Sequence, residues 1–321
     1  MRIFITGSSG FIGGSLLKLL VNSKNYISTI SRFDYECLDS LDLVVKGDIG
    51  QLNKNNKLSA VVEGVLESTD VIIHLAGRAH IVADNSINPL NEYRKINRDA
   101  TLSLARIAAK SGVKRFIFLS SIGVNGNQNS KPFTERDEPN PKEDYAISKY
   151  EAEQGLLDLS KEVDMDVVII RPPLVYGPNA PGNFNTLIRW ISKGVPLPLG
   201  LINNKRSFIA LENLIDFIIL CLNYKDTPLA RNQIFLVSDG EDVSTSQFLS
   251  KISKAVKSKT VLLPIPVFFL KFFLKLIGKK DMGDRLFDSL QVDNSKAREL
   301  LKWSPIVTMD QQLKIISKVC R

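Results

Sequence analysis

The chain has 321 residues, 44% hydrophobic and 24% charged, which suits a globular protein with a large core. Its net charge of +8 comes from scattered lysines and arginines; without an RNA- or DNA-binding motif this fits an anionic small ligand and gives nucleic acid no support. The three cysteines, Cys37, Cys221 and Cys320, and the two histidines, His74 and His80, lack metal spacing, so no metal site is expected and a reducing, cytoplasmic setting is.

The first half alternates strand and helix. Arg2–Thr6 reads as an apolar strand, followed by Gly7-Ser8-Ser9-Gly10-Phe11-Ile12-Gly13 and a helix from about Gly14 to Val21. Between a first strand and a helix, this glycine spacing predicts a turn that admits a pyrophosphate and aims the helix N-terminus at it. Nothing before the strand resembles a signal peptide. A second strand, Tyr26–Ser31, ends at Ser31-Arg32. A dinucleotide site that reads two free ribose hydroxyls places an acid here. A hydroxyl and a guanidinium suit a 2′-phosphate better, so NADP(H) is favoured over NAD(H); the alternative leaves Arg32 in solvent and gives the ribose to Asp34.

A third strand, Val44–Ile49, carries Asp48 and Ile49 at its end, where they would meet an adenine amino group and ring. The fourth, Asp70–Gly77, ends in Ala76 and Gly77, small enough for the chain to pass close to a cofactor. His74 reads as packed near the sheet end. An amphipathic helix is expected over 89–111, and a fifth strand, Val113–Ser121, delivers Ser120 and Ser121 to the carboxyl edge of the sheet. A loop over 125–142 leads into a helix with Tyr145 and Lys149 one turn apart on one face. A nearby ammonium favours the phenolate, so the expected effect of Lys149 is to lower the Tyr145 pKa and let it move a proton on or off a hydroxyl. A serine hydroxyl beside it would hold the reacting oxygen. Val167–Pro172 forms the sixth strand. The most apolar stretch, Val267–Ile277, is interrupted by Lys271 and Lys275 and too short to span a bilayer. It reads as a helix packed on the later chain or on a partner, with a membrane-surface helix as the alternative; stable insertion is not expected.

These residues resemble an extended short-chain dehydrogenase/reductase of the nucleotide-sugar epimerase/dehydratase family. The motifs are TGSSGFIG (Thr6–Gly13), GDI (Gly47–Ile49), HLAG (His74–Gly77), KINRDAT (Lys95–Thr101), FLSSIGVNG (Phe118–Gly126), YAISK (Tyr145–Lys149), RPPLVYGP (Arg171–Pro178), KRSFIALENL (Lys205–Leu214) and DNSKARELLKWSP (Asp293–Pro305). The resemblance implies an α/β fold: a doubly wound parallel (Rossmann) sheet over 1–175 and a smaller C-terminal substrate-binding lobe over 176–321, with part of 205–222 returning to the first.

By the same resemblance, Ser121, Tyr145 and Lys149 are catalytic. Gly7, Gly10, Phe11, Ile12, Gly13, Leu75, Ala76 and Gly77 line the cofactor, Asn97 supports the central helix or a proton path, and Pro172 bounds the nicotinamide pocket. Asn183, Arg206 and Arg285 grip a UDP-sugar. A homodimer through helices near 91–110 and 145–160 is a family habit. Ser121-Ile122-Gly123 lacks the carboxylate pair of the 4,6-dehydratases. The stretches SSIGVNG, RPPLVYGPNAPGNF and PLGLINNKRS are most similar to the surface-polysaccharide branch that reduces UDP-4-keto-6-deoxy-N-acetylglucosamine. The expected reaction is therefore hydride transfer to a sugar C4 ketone. Its rivals are a 4-epimerase with tightly bound cofactor and a non-catalytic nucleotide-binding or redox-sensing protein, which would have no use for the set Ser121, Tyr145 and Lys149.

Overall fold

The computed structural model describes residues 1–33, 41–79, 88–276, 283 and 286–319. Seven strands, numbered in chain order, form its main sheet: β1 (Arg2–Thr6), β2 (Tyr26–Ser31), β3 (Leu43–Lys46), β4 (Val71–His74), β5 (Arg115–Leu119), β6 (Asp166–Arg171) and β9 (Gln233–Leu236). Their order is β3-β2-β1-β4-β5-β6-β9, and every pairing is parallel. The chain reverses direction across the sheet between β1 and β4, which opens a crevice at the carboxyl ends of those strands.

Helices cover both faces, so the strands are apolar on both sides. Ile3 and Ile5 of β1 join Leu16 and Leu17 of α1 (Phe11–Leu20) and Leu214 and Phe217 of α7 (Leu211–Leu222) in one core. Phe4, between them, points into the opposite core with Val62 of α2 (Asn56–Leu66), Leu104 of α4 (Thr101–Lys110) and Leu156 of α5 (Asp144–Glu162). This two-residue alternation buries both sides of β1, and β2, polar at Ser28, Thr29 and Ser31, satisfies those hydroxyls with internal hydrogen bonds.

The later chain builds a second sheet, β10-β8-β7, from β7 (Leu174–Tyr176), β8 (Arg206–Ala210) and β10 (Asp242–Val243). Its core is aromatic. Phe208 stacks on Phe248 of α8 (Thr245–Ala255) with centroids 4.2 Å apart, and Tyr176 and Phe184 of α6 (Asn183–Ser192) complete the cluster. The chain returns from this lobe to the main layers in α7 and in β9. Trp303, after α10 (Ser295–Leu301), packs edge-on against Phe217 of α7 at 5.1 Å. The final helix, α11 (Met309–Val319), packs on the aromatic lobe.

The fourth and fifth strands end at His74 and Leu119, short of the expected Gly77 and Ser121, and three further elements differ from the sequence expectation. Helix α1 begins at Phe11, not Gly14, because Gly10 takes the cap position. The third strand stops at Lys46, and Asp48 instead caps a short 3-10 turn, Ile49–Gln51, by accepting from the Gly50 N–H. The helix expected over 89–111 is α3 (Pro89–Arg94), a π-helical turn (Lys95–Ala100) and α4 in succession. No helix among the described residues is long and apolar enough to cross a membrane.

Candidate active site

The glycine turn is built for close approach. Gly7 has φ +72°, and a Cβ there would lie 2.6 Å from the Ala76 nitrogen, a conformation and a clearance that only glycine tolerates. A Cβ on Gly13 would fall 2.1 Å from the Gly7 carbonyl oxygen, so this glycine keeps α1 tight against the turn. Gly10 precedes the helix, and Phe11 and Ile12, in its first turn, pack on the core behind it. The result is a side-chain-free cradle at a helix N-terminus, which fits a dinucleotide pyrophosphate.

The cradle is fixed to β4 by a chain of hydrogen bonds. Leu75 N–H donates to the Thr6 carbonyl at 3.1 Å, and Ala76 N–H donates to Thr6 Oγ1 at 3.2 Å. Thr6 Oγ1 lies 2.6 Å from His74 Nδ1, and His74 Nε2 lies 2.8 Å from Thr101 Oγ1. Since Thr101 donates to the Asn97 carbonyl at 2.8 Å, its oxygen receives the Nε2 proton, and Nδ1 accepts from Thr6. His74 is therefore a neutral, structural link; burial first, and Lys149 second, lower its pKa to about 3.

Asn97, in the π turn, braces two segments. Its Oδ1 accepts from Arg78 N–H at 2.8 Å, and its Nδ2 donates to the Arg78 carbonyl at 3.1 Å and to Ser148 Oγ at 2.9 Å. Ser148 in turn donates to the Tyr145 carbonyl at 2.7 Å. The chain following Gly77 is thus tied to the helix that bears Tyr145 and Lys149.

That helix meets the end of β5. Lys149 Nζ donates to the Leu119 carbonyl at 2.8 Å and lies 4.4 Å from the centre of the Phe118 ring. A Cβ on Gly77 would come within 3.4 Å of the same nitrogen. Ser121 caps the 3-10 turn Ile122–Val124, accepting from Gly123 N–H at 3.1 Å. A Cβ on Gly123 would touch both Ser121 Oγ and Ala146 at 3.3–3.4 Å, so this glycine lets the Ser121 turn sit against the first turn of α5. Pro172 joins through its carbonyl, which accepts from Ile122 N–H at 2.9 Å. Ser121, Tyr145, Lys149 and Gly77 are in this way gathered at one sheet edge.

The electrostatics differ from expectation at Tyr145. Its pKa is raised to about 12, by burial and then by Tyr93, whose ring packs edge-on at 6.2 Å. Lys149 is itself lowered to about 7 by burial. Desolvation penalises both charged forms, so in the protein alone the phenol is the favoured state, where the sequence reading expected lysine to favour the phenolate.

Around the adenosine end, the Ser31 hydroxyl donates to the Phe33 carbonyl at 2.7 Å. Arg32, 64% exposed, lies 3.8 Å from an Asp48 carboxylate oxygen and over the Phe33 ring at 5.4 Å. Asp48 also caps its own turn, and Ile49 packs on the core. In the second lobe, Asn183 opens α6 behind Gly182, and Arg206 in β8 donates to the Asp288 carbonyl at 3.0 Å. Arg285 lies outside the described residues, as do Asp34 and His80.

Sequence reasoning missed the buried support beneath the site. Arg171 at the end of β6 meets Glu153 of α5, Nε to Oε1 at 3.0 Å, and donates through its other arm to Asn125 Oδ1 at 2.8 Å. Ser120 donates to the same glutamate. Glu153 lies one helical turn beyond Lys149, so its spacing was visible; its partner 18 residues away was not.

A doubly wound sheet with a glycine cradle at its first helix, and a buried Lys149 beside half-buried Ser121 and Tyr145, fits a nucleotide-dependent short-chain dehydrogenase/reductase. Residues 3–236 match the NAD dependent epimerase/dehydratase family, and the chain belongs to it. A UDP-glucose 4-epimerase of Vibrio cholerae is 43% identical over 97% of this chain and 93% of its own. Two solved structures share the fold. The UDP-glucose 4-epimerase of Thermotoga maritima with UDP-glucose has a TM-score of 0.77 at 21% identity, covering 100% of this chain and 99% of its own. The UDP-glucuronic acid 4-epimerase of Bacillus cereus with NAD has 0.78 at 22%, covering 99% and 96%.

Proposed function

We propose that the chain is a UDP-sugar 4-epimerase that works with a retained nicotinamide dinucleotide, NAD(H). The observation that carries this reading is the 43% identity to a protein named UDP-glucose 4-epimerase along nearly the whole of both chains. It displaces the 4-keto reduction expected from the sequence, which would use the same residues.

The residues divide the work as follows. Gly7, Gly10 and Gly13 hold the pyrophosphate, Lys149 holds the nicotinamide ribose, and Ser121 orients the sugar O4. Tyr145 takes the O4 proton as the sugar is oxidised and gives it back as the ketone is reduced. When bound, the nicotinamide would supply the hydride acceptor and donor for the sugar C4, and its positive charge would favour the Tyr145 phenolate. That charge, added to the Lys149 ammonium, offsets the burial that otherwise keeps the phenol protonated. Asn183, at the start of α6, and Arg206, in β8, are the residues of the aromatic lobe assigned to the sugar nucleotide by the family resemblance.

NAD(H) is preferred to NADP(H) because the matching family is NAD dependent and, of the two groups expected to clamp a 2′-phosphate, Ser31 donates to Phe33 while Arg32 leans toward the Asp48 carboxylate.

The test is a substrate panel. The purified protein, supplied with UDP-glucose and UDP-N-acetylglucosamine, should equilibrate each with its C4 epimer without net change in nicotinamide absorbance. Stoichiometric consumption of free NADPH with a UDP-4-keto-6-deoxy-N-acetylhexosamine, and no epimerisation, would restore the reductase.

A further inference from the structure

Helix α9 (Val267–Leu276, VFFLKFFLKL) has no buried residue. Phe268, Phe269, Phe272, Phe273 and Leu276 are 73%, 61%, 56%, 60% and 68% exposed. At 100° per residue these five fall on one face of the helix, while Val267, Leu270 and Leu274, half-buried, fall on the other. The inner face is accounted for by the protein; the outer one is equally apolar. Four phenyl rings of roughly 200 Å² each, more than half exposed, together with Leu276 present on the order of 600 Å². That is at the upper limit of what a monomer ordinarily leaves uncovered.

The chain leading into the helix continues the surface. Val261 and Leu263, 55% and 40% exposed, sit on a segment held to Leu197 by backbone bonds of 3.0 and 2.8 Å. Lys271 and Lys275 lie together along one edge of the aromatic face, and the helix contains no acidic residue. Lys271 reaches Asp288 at 3.0 Å; Lys275 has no carboxylate partner among the described residues. A second copy of the chain would bring the same lysines and no acid in the helix to answer them. An anionic lipid surface answers both features, taking phenyl rings at the headgroup boundary and lysines beside its phosphates.

We infer that α9 is a membrane-docking helix that lays its Phe268–Leu276 face on an anionic bilayer surface, reversibly and without spanning it. The inference is independent of which C4 reaction the enzyme performs.

Flotation of the full chain tests it, with vesicles of phosphatidylglycerol and phosphatidylethanolamine against vesicles of phosphatidylcholine. The wild type should float with the first, and its bound fraction should fall at least fivefold with the second. Phe268→Ser/Phe272→Ser should cause a similar loss while UDP-sugar turnover stays within about twofold. Lys275→Glu, which spares the apolar face, should weaken binding to the anionic vesicles in the same direction and guards against misfolding of the double variant. A wild type that ignores both vesicles, or serine and glutamate variants that float as well as it does, overturns the inference. So does a wild-type dimer that the serine variant turns into a monomer, which would assign the face to a second copy.

Discussion

Arg171 and Glu153 form a fully buried ion pair between β6 and α5, with Nε and Oε1 3.0 Å apart. One partner ends β6 and the other follows Lys149 by one helical turn, so the pair locks α5 to the sheet. Replacing one charge strands the other in a dry interior. Glu153→Gln should therefore destabilise the fold by about 3–5 kcal/mol, read from the denaturant midpoint at constant slope. The paired change Glu153→Leu/Arg171→Met should recover at least half of that. Two losses that simply add would show that the ion pair is not the unit responsible.

Tyr145 is the group assigned to proton transfer. Tyr145→Phe should lower turnover by roughly 10²-fold or more, with bound nicotinamide, measured by absorbance after denaturation, unchanged. Near-normal turnover would remove Tyr145 from the mechanism.

His74 makes the acid side of the stability profile predictable. Its folded pKa, about 3, lies below the ordinary 6.5. Between those values the unfolded chain holds a proton that the folded chain does not, so acidification favours unfolding. Stability contributed by neutral His74 is complete above pH 6.5 and is lost toward pH 3, at up to about 1.4 kcal/mol per pH unit. Relative to His74→Gln, the wild type should lose stability as pH falls from 6.5 to 4.5. Parallel profiles for the two proteins, from urea midpoints, would contradict the buried neutral histidine.

Arg32 is largely exposed and only loosely paired with Asp48 at 3.8 Å, an arrangement that contributes little, so Arg32→Ala should change NAD(H) affinity by less than about threefold. Fluorescence titration with NADH and NADPH checks it. A selective loss of NADPH binding of tenfold or more would return the preference to the phosphorylated cofactor.

Much of this was legible because it is local. The glycine spacing, the strand after it and the Tyr145–Lys149 spacing each lie within one turn or strand, and the structure places them as that spacing requires. What escaped depends on distant pairing or on burial. The partner of Arg171 is 18 residues back on another element. The Tyr145 phenol moved against expectation because sequence shows the neighbouring lysine but not the desolvation of both. Arg32 and Asp48 were each read toward a ligand, although strand order brings them toward each other. The apolar run at 267 read more readily as a packed helix, since its period cannot say which of two apolar faces meets protein.

The π turn at Lys95–Ala100 makes the length of that helix a counted quantity. Six residues occupy a path that a regular α-helix would cover with one fewer per turn or so. Loss of a single residue there would let the segment relax into ordinary helix with the flanking turns kept in register, because a π turn is one extra residue absorbed in place. Asn97, inside the turn, would be re-aimed and would no longer meet both Arg78 and Ser148, whereas Tyr93, outside it, would keep the Tyr145 ring. Insertions and deletions in descendants of this chain should therefore collect in the loop over 125–142 and spare this helix, where evolution can exchange side chains but not change the count.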